Sequence, residues 1–231
     1  MVTGGARGIG LATALTLSEQ GSNIVLTDLD AAALERAAAT LGEGRCDGRL
    51  RCELPRGCPR CGKRRRRYFR VPGRYVNNAG FTRDAKMRMM TESDFDDVIS
   101  VHLKGAWLGT RAAADTMRKL GTQGSIINVS SLSGKIGTAR QTHHSAAKAG
   151  IARLTKAAAA GIRVNAIQPG IIRTEMVGSL RPDVPEKKRS EIPLTRFGEP
   201  EEVASVVLFL ASGISNYMTG IILEITGGPH A

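Results

Sequence analysis

The stretch "VTGGARGIGLATALTLSEQG", residues 2–21, begins as a strand end, turns on glycines and continues as a helix. Leu11, Ala14, Leu15 and Leu17 recur at near-helical spacing, and Gly21 suits the C-terminal cap. Gly4, Gly8 and Gly10 fall between strand and helix in a TGxxxGxG spacing. Glycines there let a backbone approach a pyrophosphate, and the helix start offers unpaired N–H groups to the anion. A tight strand–helix turn also needs glycine for steric reasons, so the pattern takes its weight from an acid at the end of the next strand. "SNIVLTD", residues 22–28, reads as a buried strand ending at Asp28, 18 residues after Gly10. A carboxylate at that point accepts hydrogen bonds from ribose hydroxyls and repels a 2′-phosphate. The expected cofactor is therefore NAD(H) rather than NADP(H), although Arg7 in the turn offers an alternative seat for that phosphate.

Outward from this unit the same alternation continues. "LDAAALERAAATLG" (29–42) is a helix and "YVNNAG" (75–80) a strand and turn. Thr91 and Asp94 make a capping-box-like start for a long helix reaching about Leu120. "GSIINVSS" (124–131) is a strand, 143–160 a helix, "IRVNAIQPG" (162–170) a strand, "EPEEVASVVLFLAS" (199–212) a helix and "GIILEITGG" (220–228) a last strand. Strands alternating with helices predict an α/β, Rossmann-like doubly wound parallel sheet covered on both faces, in one domain spanning 1–231 with a truncated first strand. Between "LTKAAAA" and "GIRVN" almost no loop remains, where ~2–6 residues are usual, so the last helical turn is expected to unwind.

Residues 45–74, "RCDGRLRCELPRGCPRCGKRRRRYFRVPGR", fit no part of that pattern. The window shows neither apolar periodicity nor a β-branched run, so the strand–helix unit a doubly wound fold requires there is expected to be missing. It carries 12 of the 33 Lys+Arg and 2 of the 21 Asp+Glu, a balance of +10 out of a net +12. The high charge is thus local and is no argument for a nucleic-acid partner of the whole chain. All four cysteines (Cys46, Cys52, Cys58, Cys61) lie in it, but only "CPRC" resembles a zinc knuckle and ribbons need two such pairs. No metal is expected, and a zinc or nucleic-acid module in this window is the weaker alternative. The composition is that of a GC-rich gene read in a shifted frame. No apolar run approaches the ~20 residues that cross a bilayer, and no basic-then-apolar leader opens the chain. A cytoplasmic protein without membrane association is expected.

Five ordered motifs carry a family resemblance: TGxxxGxG at Thr3–Gly10, "NNAG" at Asn77–Gly80, "NVSS" at Asn128–Ser131, "SAAKAG" at Ser145–Gly150 and "PGIIRT" at Pro169–Thr174, with "YMTGIILEITGG" near the C-terminus. Over residues 1–44 and 75–231 the chain resembles the classical short-chain dehydrogenase/reductase family, and is most similar in look to bacterial 3-oxoacyl-acyl-carrier-protein reductases. The resemblance implies hydride exchange between a nicotinamide cofactor and a small carbonyl/alcohol substrate, in a homodimer or homotetramer. It implies that Ser131 hydrogen-bonds the substrate oxygen and that Lys148 holds the nicotinamide ribose and supplies positive charge. Thr174 would hold the carboxamide, and Asn77 would shape the adenosine side. Ile9, Ala79, Gly80, Pro169, Gly170 and Ile172 complete the implied cofactor contacts alongside Gly4, Arg7, Gly8, Gly10 and Asp28.

The family's proton donor is a tyrosine 13 residues after the serine and four before the lysine. Counted from Ser131 and from Lys148, both positions land on His144. The family's helix asparagine is likewise replaced, by His102 in "ISVHLKGAW". An imidazole is shorter than a phenol, and a nearby ammonium disfavours its protonated form. The expectation is an impaired oxidoreductase. A histidine-driven variant mechanism, a metal or other use of His143, His144 and His102, and a dinucleotide-binding pseudoenzyme are the alternatives.

Overall fold

The computed structural model describes residues 1–41, 51–53, 73–158, 161–175 and 188–228. Seven strands, β1 (Val2–Thr3), β2 (Val25–Thr27), β3 (Arg51–Glu53), β4 (Arg74–Asn77), β5 (Ser125–Val129), β6 (Arg163–Pro169) and β7 (Ile222–Ile225), form one sheet. Every pairing is parallel, in the order β3-β2-β1-β4-β5-β6-β7. The order reverses between β1 and β4, the point at which open parallel sheets bind ligands beyond the carboxyl ends of their strands. β5 is buried along its whole length and its neighbouring isoleucines divide the core. Ile127 joins Val2, Leu26, Ala14, Leu17, Val203, Val207 and Leu210 on one face, and Ile126 joins Ala113, Met117 and Val164 on the other. Period-two alternation thus feeds two helix layers. The first is built on α1 (Gly8–Glu19), which packs against the late helix Pro200–Ala211; the second rests on the long central helix and on Thr142–Ala157.

One expectation is corrected. The third strand is present: Arg51–Glu53 pairs in register with Val25–Thr27 at the sheet edge, although "RCE" has no apolar signature. Its place follows from the parallel edge that β2 offers, and the sheet lacks no interior strand. The cysteine and arginine run beyond it lies outside the described residues, as does any helix between Leu54 and Pro72. The helix predicted over 143–160 spans Thr142–Ala157 with Ala158 as its C-cap, and Gly161 at φ 72° leads into β6; residues 159 and 160 lie outside the described residues. The first strand spans only two residues, yet it pairs with β2 and β4 on both sides.

Helices α2 (Ala31–Leu41), α3 (Glu92–Ile99), α4 (Gly105–Lys119), α5 (Ser133–Ile136), α6 (Thr142–Ala157) and α7 (Pro200–Ala211) complete the architecture. Thr91 caps α3 by accepting from the Asp94 amide. The helix expected to run from Thr91 to Leu120 is interrupted by a π-helical turn, Ser100–Lys104, which carries His102 inward. Such turns are frequent at functional sites.

Candidate active site

The glycine turn is held from below by Asn78. Its side-chain amide donates to the carbonyls of Thr3 (3.1 Å) and Gly4 (2.9 Å), while Thr3 Oγ1 accepts from the Asn78 and Ala79 amides. Gly4 (φ 61°) and Gly8 (φ 52°) occupy the left-handed region, and a Cβ on Gly10 would run into the Gly4 carbonyl and the Asn78 amide. No side chain caps α1, and the amides of Gly8, Ile9 and Gly10 donate to no partner among the described residues. β2 delivers Asp28 to the same turn. Its carboxylate accepts from the Ala6 amide (3.2 Å) and the Asp30 amide (3.2 Å), which fixes it beside the turn. Uncapped helix N–H groups, a turn closed to side chains and a fixed carboxylate one strand away fit a dinucleotide.

Arg7 is engaged elsewhere. Its guanidinium bonds Asp30 (2.6 Å) and lies 3.6 Å from Glu175, so both acids compete with any phosphate for it. The Thr174 methyl lies over Gly8, 3.3 Å from where a Cβ would be. Ile172 is core, while Pro169 and Gly170 end β6: the Pro169 carbonyl accepts from the Leu132 amide, and Gly170 packs on Thr226. Asn77 sits away from the turn. Its buried amide donates to Asn128 (2.8 Å) and Thr110 (3.2 Å), and Asn128 continues to Thr155 (3.0 Å), tying β4, β5, α4 and α6 together. Strand alternation sends Asn77 and Asn78 to opposite sides, so "NNAG" itself carried the signal that only one of the pair could meet the turn.

On the other side of the reversal, Ser131 Oγ accepts from the Ser133 amide (3.2 Å) and lies 3.0 Å from Ser133 Oγ, a support that no sequence motif announces. Ser130 Oγ donates to the Lys148 carbonyl, and Lys148 Nζ donates to the Val129 carbonyl (2.7 Å). Lys148 is fully enclosed and burial lowers its pKa to about 8. The approach of α5 to α6 depends on Gly134, whose Cβ would strike the Lys148 backbone.

His144 and His102 meet edge to face, ring centroids 5.1 Å apart. Burial first and Lys148 second lower the pKa of His144 to about 4 and that of His102 to about 3. The Nδ1 atoms of both rings are buried without a partner among the described residues. His102 Nε2 lies 2.8 Å from the Phe81 carbonyl and 3.0 Å from the Phe81 amide, so it serves one of them according to tautomer. Gly80 leaves room for that ring, since a Cβ there would overlap it. His143 is structural: Nδ1 accepts from the His144 amide (2.7 Å) and Nε2 donates to the Arg83 carbonyl (3.0 Å), which fixes its tautomer. Among the described residues no group of three or more His, Cys, Asp or Glu is arranged to hold a metal. None of the helices there is long and apolar enough to cross a membrane.

Comparison with known proteins agrees with this geometry. The family described as enoyl-(acyl carrier protein) reductase matches residues 4–230. An uncharacterised oxidoreductase of Mycobacterium bovis is 48% identical over 235 residues, covering 99% of this chain and 95% of its own. A 3-oxoacyl-[acyl-carrier-protein] reductase of Thermotoga maritima is 41% identical (99% and 96%). A (3R)-3-hydroxyacyl-CoA dehydrogenase of Rattus norvegicus is 40% identical (99% and 94%). With its fold, its glycine turn and relatives aligned along nearly its whole length, the chain belongs to the short-chain dehydrogenase/reductase family of oxidoreductases.

Proposed function

We propose that the chain is an NAD(H)-dependent oxidoreductase for 3-oxoacyl/3-hydroxyacyl thioesters whose turnover is held low by histidine at position 144. The observation that carries this reading is the meeting of His144 with His102 beside Lys148, one strand from a glycine turn that fits a dinucleotide. The nicotinamide cofactor, when bound, supplies or accepts the hydride. The chain's own residues manage the proton and the substrate oxygen. Ser131, steadied by Ser133, directs its hydroxyl toward that oxygen, and Lys148 supplies a fixed positive charge behind it. His144 is the group placed to deliver a proton. With a pKa of about 4 its imidazolium form is present near pH 7 in roughly one molecule in a thousand, and the neutral ring is a very weak acid. That deficit matches the ~10²–10⁴-fold cost of losing a positioned general acid.

Asp28 supports NAD(H), and the engagement of Arg7 with Asp30 and Glu175 supports it further by leaving a 2′-phosphate no free cation in the turn. The chain is read as one domain acting in the cytoplasm. Exposed Phe95, Trp107 and Leu108 on α3 and α4 support a homodimer or homotetramer. Fluorescence titration with NADH and NADPH tests the cofactor assignment. NADH should bind at least about tenfold more tightly, and Asp28→Ala should erase most of that difference. Tighter NADPH binding by the native chain would refute it.

A further inference from the structure

Two loops are stitched together at the start of α6, next to His144. The Ala85 amide donates to the Arg140 carbonyl (3.0 Å), the Gln141 side chain to Asp84 (2.9 Å), and Thr142 Oγ1 lies 3.5 Å from Met90 Sδ. Arg140 adopts φ 70°, and the turn Met87–Met89 is 3-10 helical. Four cations sit on this rim. Arg83 is committed, its guanidinium over the Phe81 ring at 5.4 Å and 3.9 Å from Asp94. Lys86, Arg88 and Arg140 are exposed and pair with no acid among the described residues. Asp84, the carboxylate that lies among them, already accepts from Gln141. Between the cations, Met87 and Met89 expose 77% and 68% of their surface. In a 3-10 turn, residues three apart eclipse, so Lys86 and Met89 share an edge. Unpaired cations interleaved with flexible, polarizable thioethers beside the start of the helix that carries His144 suit a ligand with an anionic end and an apolar arm.

We propose that Lys86, Arg88 and Arg140, with Met87 and Met89, form the binding site for the phosphorylated arm of a coenzyme A thioester whose acyl end reaches Ser131 and His144. The assignment rests on the thioester reading above. A free coenzyme carries a diphosphate and a phosphomonoester, which can engage three separate cations, whereas a carrier-protein arm presents a single phosphodiester. The free coenzyme is therefore the better match.

Calorimetry on the full chain tests this with three probes: acetoacetyl-CoA, S-acetoacetyl-4′-phosphopantetheine and the phosphate-free acetoacetyl-N-acetylcysteamine. At low salt the coenzyme thioester should bind roughly tenfold more tightly than the phosphate-free one, and the advantage should shrink at high salt. The double variant Lys86→Glu/Arg88→Glu should erase it while leaving NADH affinity intact, which also reports folding. Equal affinity of the coenzyme and phosphate-free thioesters, or an advantage untouched by the double variant, overturns the rim site. Equal affinity and equal sensitivity for the phosphopantetheine probe overturns the choice of free coenzyme and points to a carrier. If no thioester binds while NADH does, the substrate reading itself fails and the rim assignment falls with it.

Discussion

His144 and His102 are asked to stay neutral by their surroundings, and acid should expose this. Their folded pKa values, about 4 and about 3, lie below the ordinary histidine value near 6.5. As pH falls through 6.5 the unfolded chain takes up these protons and the folded chain does not. Stability present above pH 6.5 is therefore lost on acidification, by about 1.4 kcal/mol per pH unit for each ring, until the folded values are reached. Denaturant melts of wild type and of His102→Asn between pH 7 and 5 check this, and the variant should show the shallower loss. Catalysis should move the other way. Any residual carbonyl reduction should rise about tenfold per pH unit lowered while the fold survives, because the imidazolium fraction grows at that rate. A flat profile over pH 7 to 5.5 would show that His144 is not the donor.

On the proposed reading, the glycine turn between β1 and α1 is the element on which cofactor affinity depends most directly. Gly10→Ala would drive a methyl group into the Gly4 carbonyl, which is backbone and cannot step aside cheaply. Such overpacking typically costs about 1–3 kcal/mol, so the melting temperature should fall and NADH affinity with it. Gly21→Ala separates backbone strain from crowding. It has open space around it but φ 77°, so a smaller stability loss without loss of NADH affinity is expected. These elements were legible in the sequence because glycine spacing and apolar runs are local signals. β3 was not, because "RCE" is placed by its partner β2 and by nothing in its own pattern. The π-turn that turns His102 inward was hidden for a similar reason: periodicity alone cannot show one extra residue in a turn. Counting from Ser131 and Lys148 found His144. The roles of Asn78 and Ser133 required knowing which side of the sheet end each one faces.

For the molecule as a whole, the proposed reading keeps the fold and the cofactor-binding turn while histidine stands at the donor position, so binding and turnover should separate. A ligand that binds only the folded state at about a hundred times its Kd adds about 2.7 kcal/mol of stability, and NADH should raise the melting temperature of wild type accordingly. Restoring tyrosine at 144 should leave that shift unchanged, since Gly4, Gly8, Gly10 and Asp28 are untouched. It should raise kcat rather than lower KM for the cofactor, because an acid acts in the transition state. Adding His102→Asn should raise it further. The decisive measurement is therefore acetoacetyl thioester reduction by wild type and His144→Tyr at saturating NADH, with NADH affinity determined on the same samples. The account predicts equal affinities and a kcat for His144→Tyr at least about a hundredfold higher. Comparable turnover in the two proteins, or a His144→Tyr variant that binds NADH yet remains inactive, would contradict it.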